Sequence, residues 1–107
     1  MKSLWRSFLG FAEDDDPKET YEHAVSRAKR LMDEGNHEDA CRILRYAERY
    51  NNAEAMFMLG QCHWSGNGVV EDAGRAIRLW KKAAGMGHEA AARRCEELKD
   101  LIASENL

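Results

Sequence analysis

Proline and β-branched residues are scarce in this 107-residue chain, which contains a single proline. β-branched residues favour strands, so their scarcity argues against a sheet. Proline interrupts regular elements, so its scarcity permits long helices. Together with 33% charged residues, this composition predicts an all-helical fold. The length predicts one domain with a single modest core.

Charge of one sign and long apolar runs are also lacking. The formal net charge is −3, a balance that requires neither a nucleic acid nor an anionic membrane as partner. No segment approaches the roughly 18 to 20 apolar residues of a membrane-spanning helix. The three cysteines form an odd set without CxxC spacing, which argues against a disulfide framework and for a reducing compartment. We therefore expect a soluble, cytoplasmic protein that has no membrane span and does not bind nucleic acid.

Residue patterns that carry chemistry are missing as well. None of the four histidines has ligand spacing with a cysteine, and no Ser/His/Asp, Cys/His or paired-carboxylate constellation is present. The turn at 66–68 lacks the strand and the lysine that a phosphate-binding loop requires. The sequence therefore predicts no enzyme activity, no cofactor, no small-molecule substrate and no metal site.

Helical periodicity, by contrast, runs through most of the chain. Five segments with apolar residues at helical spacing predict five helices joined by short turns, so that successive helices are antiparallel. Gly35 and the 66–68 turn are predicted to end the first and third helices, and Asp72 to cap the fourth. Gly66 and Gly68 are predicted to have a positive φ, a conformation that would strain a side chain. The last segment keeps its apolar spacing from Ala91 to Ile102, which predicts one continuous helix.

The sequence also repeats itself. A shift of 36 residues brings Leu44 onto Trp80 and Ala47 onto Ala83. Repetition at this spacing, with a helix pair in each unit, is typical of an α-solenoid, in which a unit buries its apolar face only against its neighbours.

One complete unit carries a recognisable motif. Residues 53–88 read AEAMFMLGQCHWSGNGVVEDAGRAIRLWKKAAGMGH. The motif comprises the Leu59-Gly60 pair, the Gly66-x-Gly68-Val69 turn, Asp72, the Arg75-Ala76 step, the Leu79-Trp80 pair, and Ala83-Ala84 followed by Gly87. This stretch resembles the Sel-one-like repeat, a close relative of the tetratricopeptide repeat. His63 departs from the pattern, because the family usually has a tyrosine there.

The resemblance implies the fold and its division. The expected fold is all-α, a short right-handed superhelix (solenoid) of antiparallel helix pairs with a C-terminal capping helix. Residues 1–16 are predicted to form an amphipathic segment with an acidic linker, and residues 17–107 the repeat domain. Within that domain we predict a divergent repeat at 17–52, a complete repeat at 53–87 and the capping helix at 88–107.

The resemblance further implies a concave face lined by the first helix of each pair. We predict that this groove binds a peptide or helix of a partner protein, which makes the protein a non-enzymatic adaptor or scaffold. The predicted groove residues are Val25, Lys29, Met32, Glu54, Phe57, Gln61, Trp64, Arg93 and Glu97. Phe57 and Trp64 lie two helical turns apart on one face. They are either aromatic anchors for the partner or core residues packed against neighbouring helices, and the sequence leaves both interpretations open.

The N-terminal segment offers an alternative function. Its apolar side chains have roughly helical spacing: Leu4, Trp5, Phe8 and Phe11. The segment is too short for a stable isolated helix, so it packs on the domain, binds another chain or a second copy, or lies on a membrane surface. In the alternative, the protein has a structural or assembly role, in which this segment forms a homodimer or occupies the groove of its own chain.

A basic stripe is predicted on the second helices of the pairs. Its members are Arg42, Arg45, Arg49, Arg75, Arg78, Lys81 and Lys82. A solvated helix face is the preferred interpretation, with phosphate or an acidic partner as the alternative.

Overall fold

The computed structural model describes residues 17–105, with side chains from residue 23 to residue 104. This part of the chain contains six α-helices and no strand. The helices are α1 (Pro17–Asp33), α2 (His37–Arg49), α3 (Ala53–Ser65), α4 (Ala73–Gly85), α5 (Glu89–Glu97) and α6 (Lys99–Glu105). The predicted all-helical fold is therefore confirmed.

The helices stack in chain order. Within the described residues, all the larger helix–helix contacts join sequence neighbours: α1 with α2, α2 with α3, α3 with α4, α4 with α5, and α5 with α6. Packing mainly between neighbours distinguishes a solenoid from a closed bundle, in which the first and last helices also pack together. The chain thus has the α-solenoid arrangement that the repeat predicts.

Polar side chains fix the starts of the central helices. The Asn52 side chain accepts a hydrogen bond from the Ala55 N–H at 2.9 Å, which caps α3. The Asp72 side chain accepts one from the Arg75 N–H at 3.0 Å, so the prediction that Asp72 caps α4 is confirmed. Each cap satisfies a backbone donor that has no partner inside its helix and contributes about 1 kcal/mol.

The C-terminal end differs from the prediction of one continuous helix. The structure ends α5 at Glu97 and begins α6 at Lys99, with Leu98 between them at φ −102° and ψ 13°. Leu98 and Ile102 both pack against the core. The apolar spacing therefore continues through the interruption, and for this reason the sequence pattern does not show it.

The core depends on small residues that let the helices approach closely and on one large ring. Alanine is the commonest residue type in it, and Trp80 of α4 is the largest side chain with no exposed surface. The Trp80 ring lies against Gly60 of α3, where a Cβ atom would stand 2.5 Å from the indole Nε1. The Nε1–H donates to the carbonyl oxygen of Phe57 at 3.1 Å. Gly60 is thus the residue that admits the buried tryptophan.

Candidate partner-binding site

Three helices share one face of the stack, and ion pairs connect them. Lys29 Nζ of α1 lies 3.5 Å from Glu54 Oε1 of α3. Glu54 Oε2 lies 2.6 Å from Nε2 of His88, the residue that precedes α5. Because α1, α3 and α5 are the first helices of successive pairs, we call the face that they form the inner face. This ion-pair chain, from Lys29 through Glu54 to His88, shows that these helices stack in register.

His88 makes two hydrogen bonds, and together they define its tautomer. Its Nδ1 accepts from the Ala91 N–H at 3.1 Å, which caps α5, while its Nε2–H donates to Glu54. Burial raises the pKa of Glu54, but the hydrogen bond from His88 and the positive charge of Lys29 outweigh this effect and hold the pKa below its usual range. The inner face therefore carries a fixed carboxylate. Histidine is an unusual helix cap, so the residue pattern contains little signal for this role.

A cavity opens on the inner face beside the C-terminal half of α3. Its volume is about 290 Å³. Three of its lining residues belong to the predicted groove: Met32, Gln61 and Trp64. The cavity is also lined by Ser65, the last residue of α3, and by four residues that were not predicted: His37, Cys62, Asn67 and Arg94. The structure thus brings predicted residues from α1 and α3 together with the start of α2, the 66–68 turn and α5.

Phe57 and Trp64 are both half-buried, and each packs on a neighbouring element. The Phe57 ring stacks on the His88 ring, with centroids 4.7 Å apart and an interplanar angle of 25°. The Trp64 ring lies 5.5 Å from that of Trp80 and borders the cavity, which Phe57 does not. The two aromatic residues therefore occupy different parts of the inner face, and Trp64 is the one beside an open volume.

The other predicted groove residues lie away from the cavity. Val25 is packed in the core with only 6% of its surface exposed, which corrects its assignment to the groove. It is buried because α1 turns a wide apolar face, including its neighbour Ala24, toward α2. Lys29 and Glu54 belong to the ion-pair chain on the same face. Leu4, Trp5, Phe8 and Phe11 lie outside the described residues.

On α5, the residue that lines the cavity is Arg94 and not the predicted Arg93 or Glu97, both of which are exposed. The guanidinium of Arg94 lies over the Trp80 ring, 4.8 Å from its centroid. Its Nη1 donates to Glu97 at 3.1 Å. Adjacent residues of a helix point about 100° apart, so an error of one position moves the side chain off the face. The sequence did contain a signal for Arg94. It lies three residues after the core residue Ala91, and residues three apart share a face of a helix.

The turn of the second pair forms one edge of the cavity. Gly66 and Gly68 have φ of +73° and +78°, which confirms the predicted turn conformation. Gly68 also lies against the start of α2, where a Cβ atom would stand 2.5 Å from the carbonyl carbon and oxygen of His37. The carbonyl of Asn67 accepts a hydrogen bond from the Cys41 thiol at 3.4 Å. These contacts hold Asn67 and His37 beside each other at the cavity.

A second network holds the loop that follows this turn. His63 Nδ1 bonds to the Val70 carbonyl at 3.1 Å, and Arg75 Nε–H donates to His63 Nε2 at 3.3 Å. Arg75 Nη2 also pairs with Glu48 of α2 at 3.4 Å. His63 therefore supplies hydrogen bonds at the position where the family usually has tyrosine. Arg75, predicted to lie in the basic stripe, is half-buried in this network, so its assignment to a solvated face is corrected.

The cysteines behave as small core or near-core residues. Cys41 and Cys62 are buried, Cys95 is half-buried, and all three are free thiols. Contact with Cys41 and burial raise the pKa of the Cys62 thiol, so that thiol stays protonated.

Stacked antiparallel helix pairs with an open inner face define this protein as a helical-repeat protein of the α-solenoid class. The family model of the Sel1 repeat matches residues 53–88, which contain α3, the glycine turn and α4. Residues 53–88 therefore form a Sel1 repeat, as the motif predicted. Neither the curated proteins nor the solved structures gave a match.

The presence of this repeat indicates a general class of function. Sel1 repeats are generally protein–protein interaction modules, and the family is non-catalytic. Among the described residues, no helix combines the length and the apolar character needed to cross a membrane.

Proposed function

We propose that this protein is a non-enzymatic adaptor that binds a peptide or helix of a partner protein along the inner face of α1, α3 and α5. The observation that carries the proposal is the cavity of about 290 Å³ in which Met32, Gln61 and Trp64 meet. These residues come from two first helices of successive pairs, as expected for a site that depends on stacking.

The cavity has room for an anchoring side chain. Its volume of about 290 Å³ lies at the lower limit of the roughly 300 to 1,000 Å³ of pockets for small ligands. It has an apolar side, formed by Met32 and Trp64, and a polar side that includes Gln61 and Ser65. Partner-binding surfaces commonly place one side chain in such a hollow and use the surrounding contacts to exclude water.

The inner face is already ordered before a partner arrives. The pairs from Lys29 to Glu54 and from Glu54 to His88 connect α1, α3 and α5, and the buried Trp80 ring supports Trp64 from behind. A partner that binds to an ordered face spends little free energy on arranging it. The same rigidity supports a binding function rather than one that requires a large conformational change.

Selection from a phage-displayed library of random peptides on the immobilised full chain tests the proposal. We expect enriched peptides to bind the wild type and to lose about 30-fold or more in affinity for Trp64→Ser, the range of an interface hot spot. Tyr50→Ser is the control, since Tyr50 is 52% exposed and does not line the cavity. Failure to enrich any peptide, or equal binding by both variants, would contradict the proposal. Circular dichroism checks that each variant keeps its helices.

A deletion of residues 1–13 separates the adaptor from the alternative assembly role. A free inner face predicts unchanged peptide affinity and unchanged sedimentation. If the N-terminal segment occupies the groove of its own or a second chain, the deletion raises peptide affinity or abolishes dimerisation, and the assembly role is favoured instead.

A further inference from the structure

Two residues that line the same cavity each hold a buried polar atom without a hydrogen-bond partner. Among the described side chains, Nδ1 of His37 and Nε of Arg94 are the buried nitrogen or oxygen atoms without a partner. Both residues line the cavity of about 290 Å³. Folded proteins leave few such groups unpaired, because each has given up its hydrogen bonds to water. Their occurrence at one cavity points to a ligand that supplies the missing partner.

The chemistry of these atoms indicates an acceptor. The Nε–H of an arginine can only donate, and Nδ1 of a neutral histidine donates in one of its two tautomers. Glu97 takes the Nη1 side of the Arg94 guanidinium, so this ion pair leaves the Nε–H side unpaired. A carboxylate offers two acceptor oxygens and binds that side of a guanidinium through two parallel hydrogen bonds.

The charge and shape of the cavity agree with this ligand. Arg94 is the one lysine or arginine among the lining residues, and none of them is aspartate or glutamate. Glu97 pairs with Arg94 from outside this lining, on the Nη1 side, so the Nε–H side of the guanidinium is the positive side that an acceptor with negative charge complements. The apolar wall of Met32 and Trp64 gives the methylene groups of an acidic side chain a surface on which to pack.

We propose that the cavity binds the side-chain carboxylate of an acidic residue in the partner peptide, with Arg94 forming the ion pair and His37 donating a further hydrogen bond. The inference rests on the proposed function, since it names the chemistry of the peptide bound on the inner face. A side chain enters, and not a chain terminus, because the cavity borders α1, α3 and α5, so a peptide along the inner face continues on both sides.

Peptide selection on the full chain, followed by two matched variants, tests this inference. Arg94→Gln removes the proposed ion pair, and Arg93→Gln removes the same charge from the adjacent, exposed position that does not line the cavity. We expect selected peptides to be enriched in aspartate or glutamate. Affinity for such a peptide should fall about 10- to 100-fold with Arg94→Gln, the range of a charged hydrogen bond, and change little with Arg93→Gln.

Changes in the peptide complete the design. Exchange of its acidic residue for the matching amide should cost as much as Arg94→Gln, and the two changes together should cost no more than either alone. Amidation of the peptide C-terminus should have no effect, which distinguishes a side-chain carboxylate from a terminal one. Arg94→Lys keeps the charge and loses the paired hydrogen bonds, so an intermediate affinity is expected, and this variant serves if Arg94→Gln does not fold.

The outcomes separate this inference from the proposed function. Enriched peptides that lack acidic residues, equal effects of the Arg93 and Arg94 changes, or loss of binding on amidation would overturn the carboxylate site. If those peptides still depend on Trp64, the adaptor function stands without it. If no enriched peptide depends on Trp64, the proposed function itself fails.

Discussion

The two helical hairpins of the stack solve the same packing problem with different residues. In the second hairpin, α3 and α4, the large Trp80 ring lies on Gly60; in the first, α1 and α2, the equivalent positions 36 residues earlier hold Leu44 and Ala24. The side chains of Trp80, Leu44 and Ala24 have no exposed surface. A larger side chain on one helix thus goes with a smaller residue on the other, which keeps the filled volume similar.

The turns of the two hairpins also differ, in what surrounds their glycines. Gly35 of the first turn has φ +82°, and a Cβ atom there would have no neighbour within 4 Å. Gly68 of the second turn has a similar φ of +78° but lies against the backbone of His37. The first glycine is therefore needed for its conformation alone, and the second for its conformation and for contact between the hairpins.

Removal of the large ring should have the greatest effect on stability. Trp80→Ala is expected to lower the free energy of unfolding by about 3 to 5 kcal/mol, because the ring is fully buried and its loss leaves a cavity. Leu44→Ala at the equivalent position should cost less, because it removes a smaller volume. Urea denaturation followed by circular dichroism measures both. Equal losses would show that the two hairpins contribute alike despite their different residues.

The two turn glycines should respond unequally to alanine. Gly35→Ala is expected to cost about 1 kcal/mol, the strain of a positive φ, whereas Gly68→Ala should cost about 2 kcal/mol or more because its methyl group also displaces the start of α2. The difference between the two melting temperatures isolates the contact with His37. Equal shifts would mean that the backbone adjusts without cost.

The pairing of Gly60 with Trp80 can be tested by rebuilding it in the form of the first hairpin. Gly60→Ala alone should cost about 1 to 3 kcal/mol through overpacking against the indole. Trp80→Leu with Gly60→Ala should be more stable than the sum of the single changes predicts, since the smaller leucine leaves room for the methyl group. Gly85→Ala is the control, because a Cβ atom there meets no neighbour within 4 Å. Additive losses would contradict the pairing.

The smallest effect should come from the ion-pair chain on the inner face. The folded pKa of Glu54 is lowered, so the stability that this carboxylate contributes is present above its ordinary pKa of about 4.3 and is lost as the pH falls through the folded pKa. Because Glu54 is 39% exposed, we expect Glu54→Gln to cost less than about 1 kcal/mol at neutral pH. The difference from wild type should disappear in acid.

Thermal denaturation from neutral to acidic pH measures this dependence. Glu71→Gln is the control, since Glu71 is exposed and forms no ion pair within the described part of the chain. A difference between wild type and Glu54→Gln that persisted in acid would assign the loss to packing and not to charge.

The sequence predicted part of the candidate site. It placed Met32, Gln61 and Trp64 on the first helices of the pairs, and these residues do line the cavity. It assigned Arg93 in place of Arg94 and put Val25 in the groove, because the family pattern gives the face of a helix to within about one residue. One residue of error rotates a side chain by about 100°, which decides whether it reaches a cavity or not.

By itself the sequence determined the order of the helices, although it did not show the break between α5 and α6. It also determined the capping role of Asp72 and the positive φ of the turn glycines. These features depend on residues that are close together in the chain, so periodicity and local backbone preference are enough to define them. Only the tertiary structure decided that Gly60 accommodates Trp80, that Gly68 touches His37, and that His37 and Arg94 meet at one cavity. Each of these contacts joins residues from different helices or turns, and its geometry depends on how closely and at what angle those elements pack.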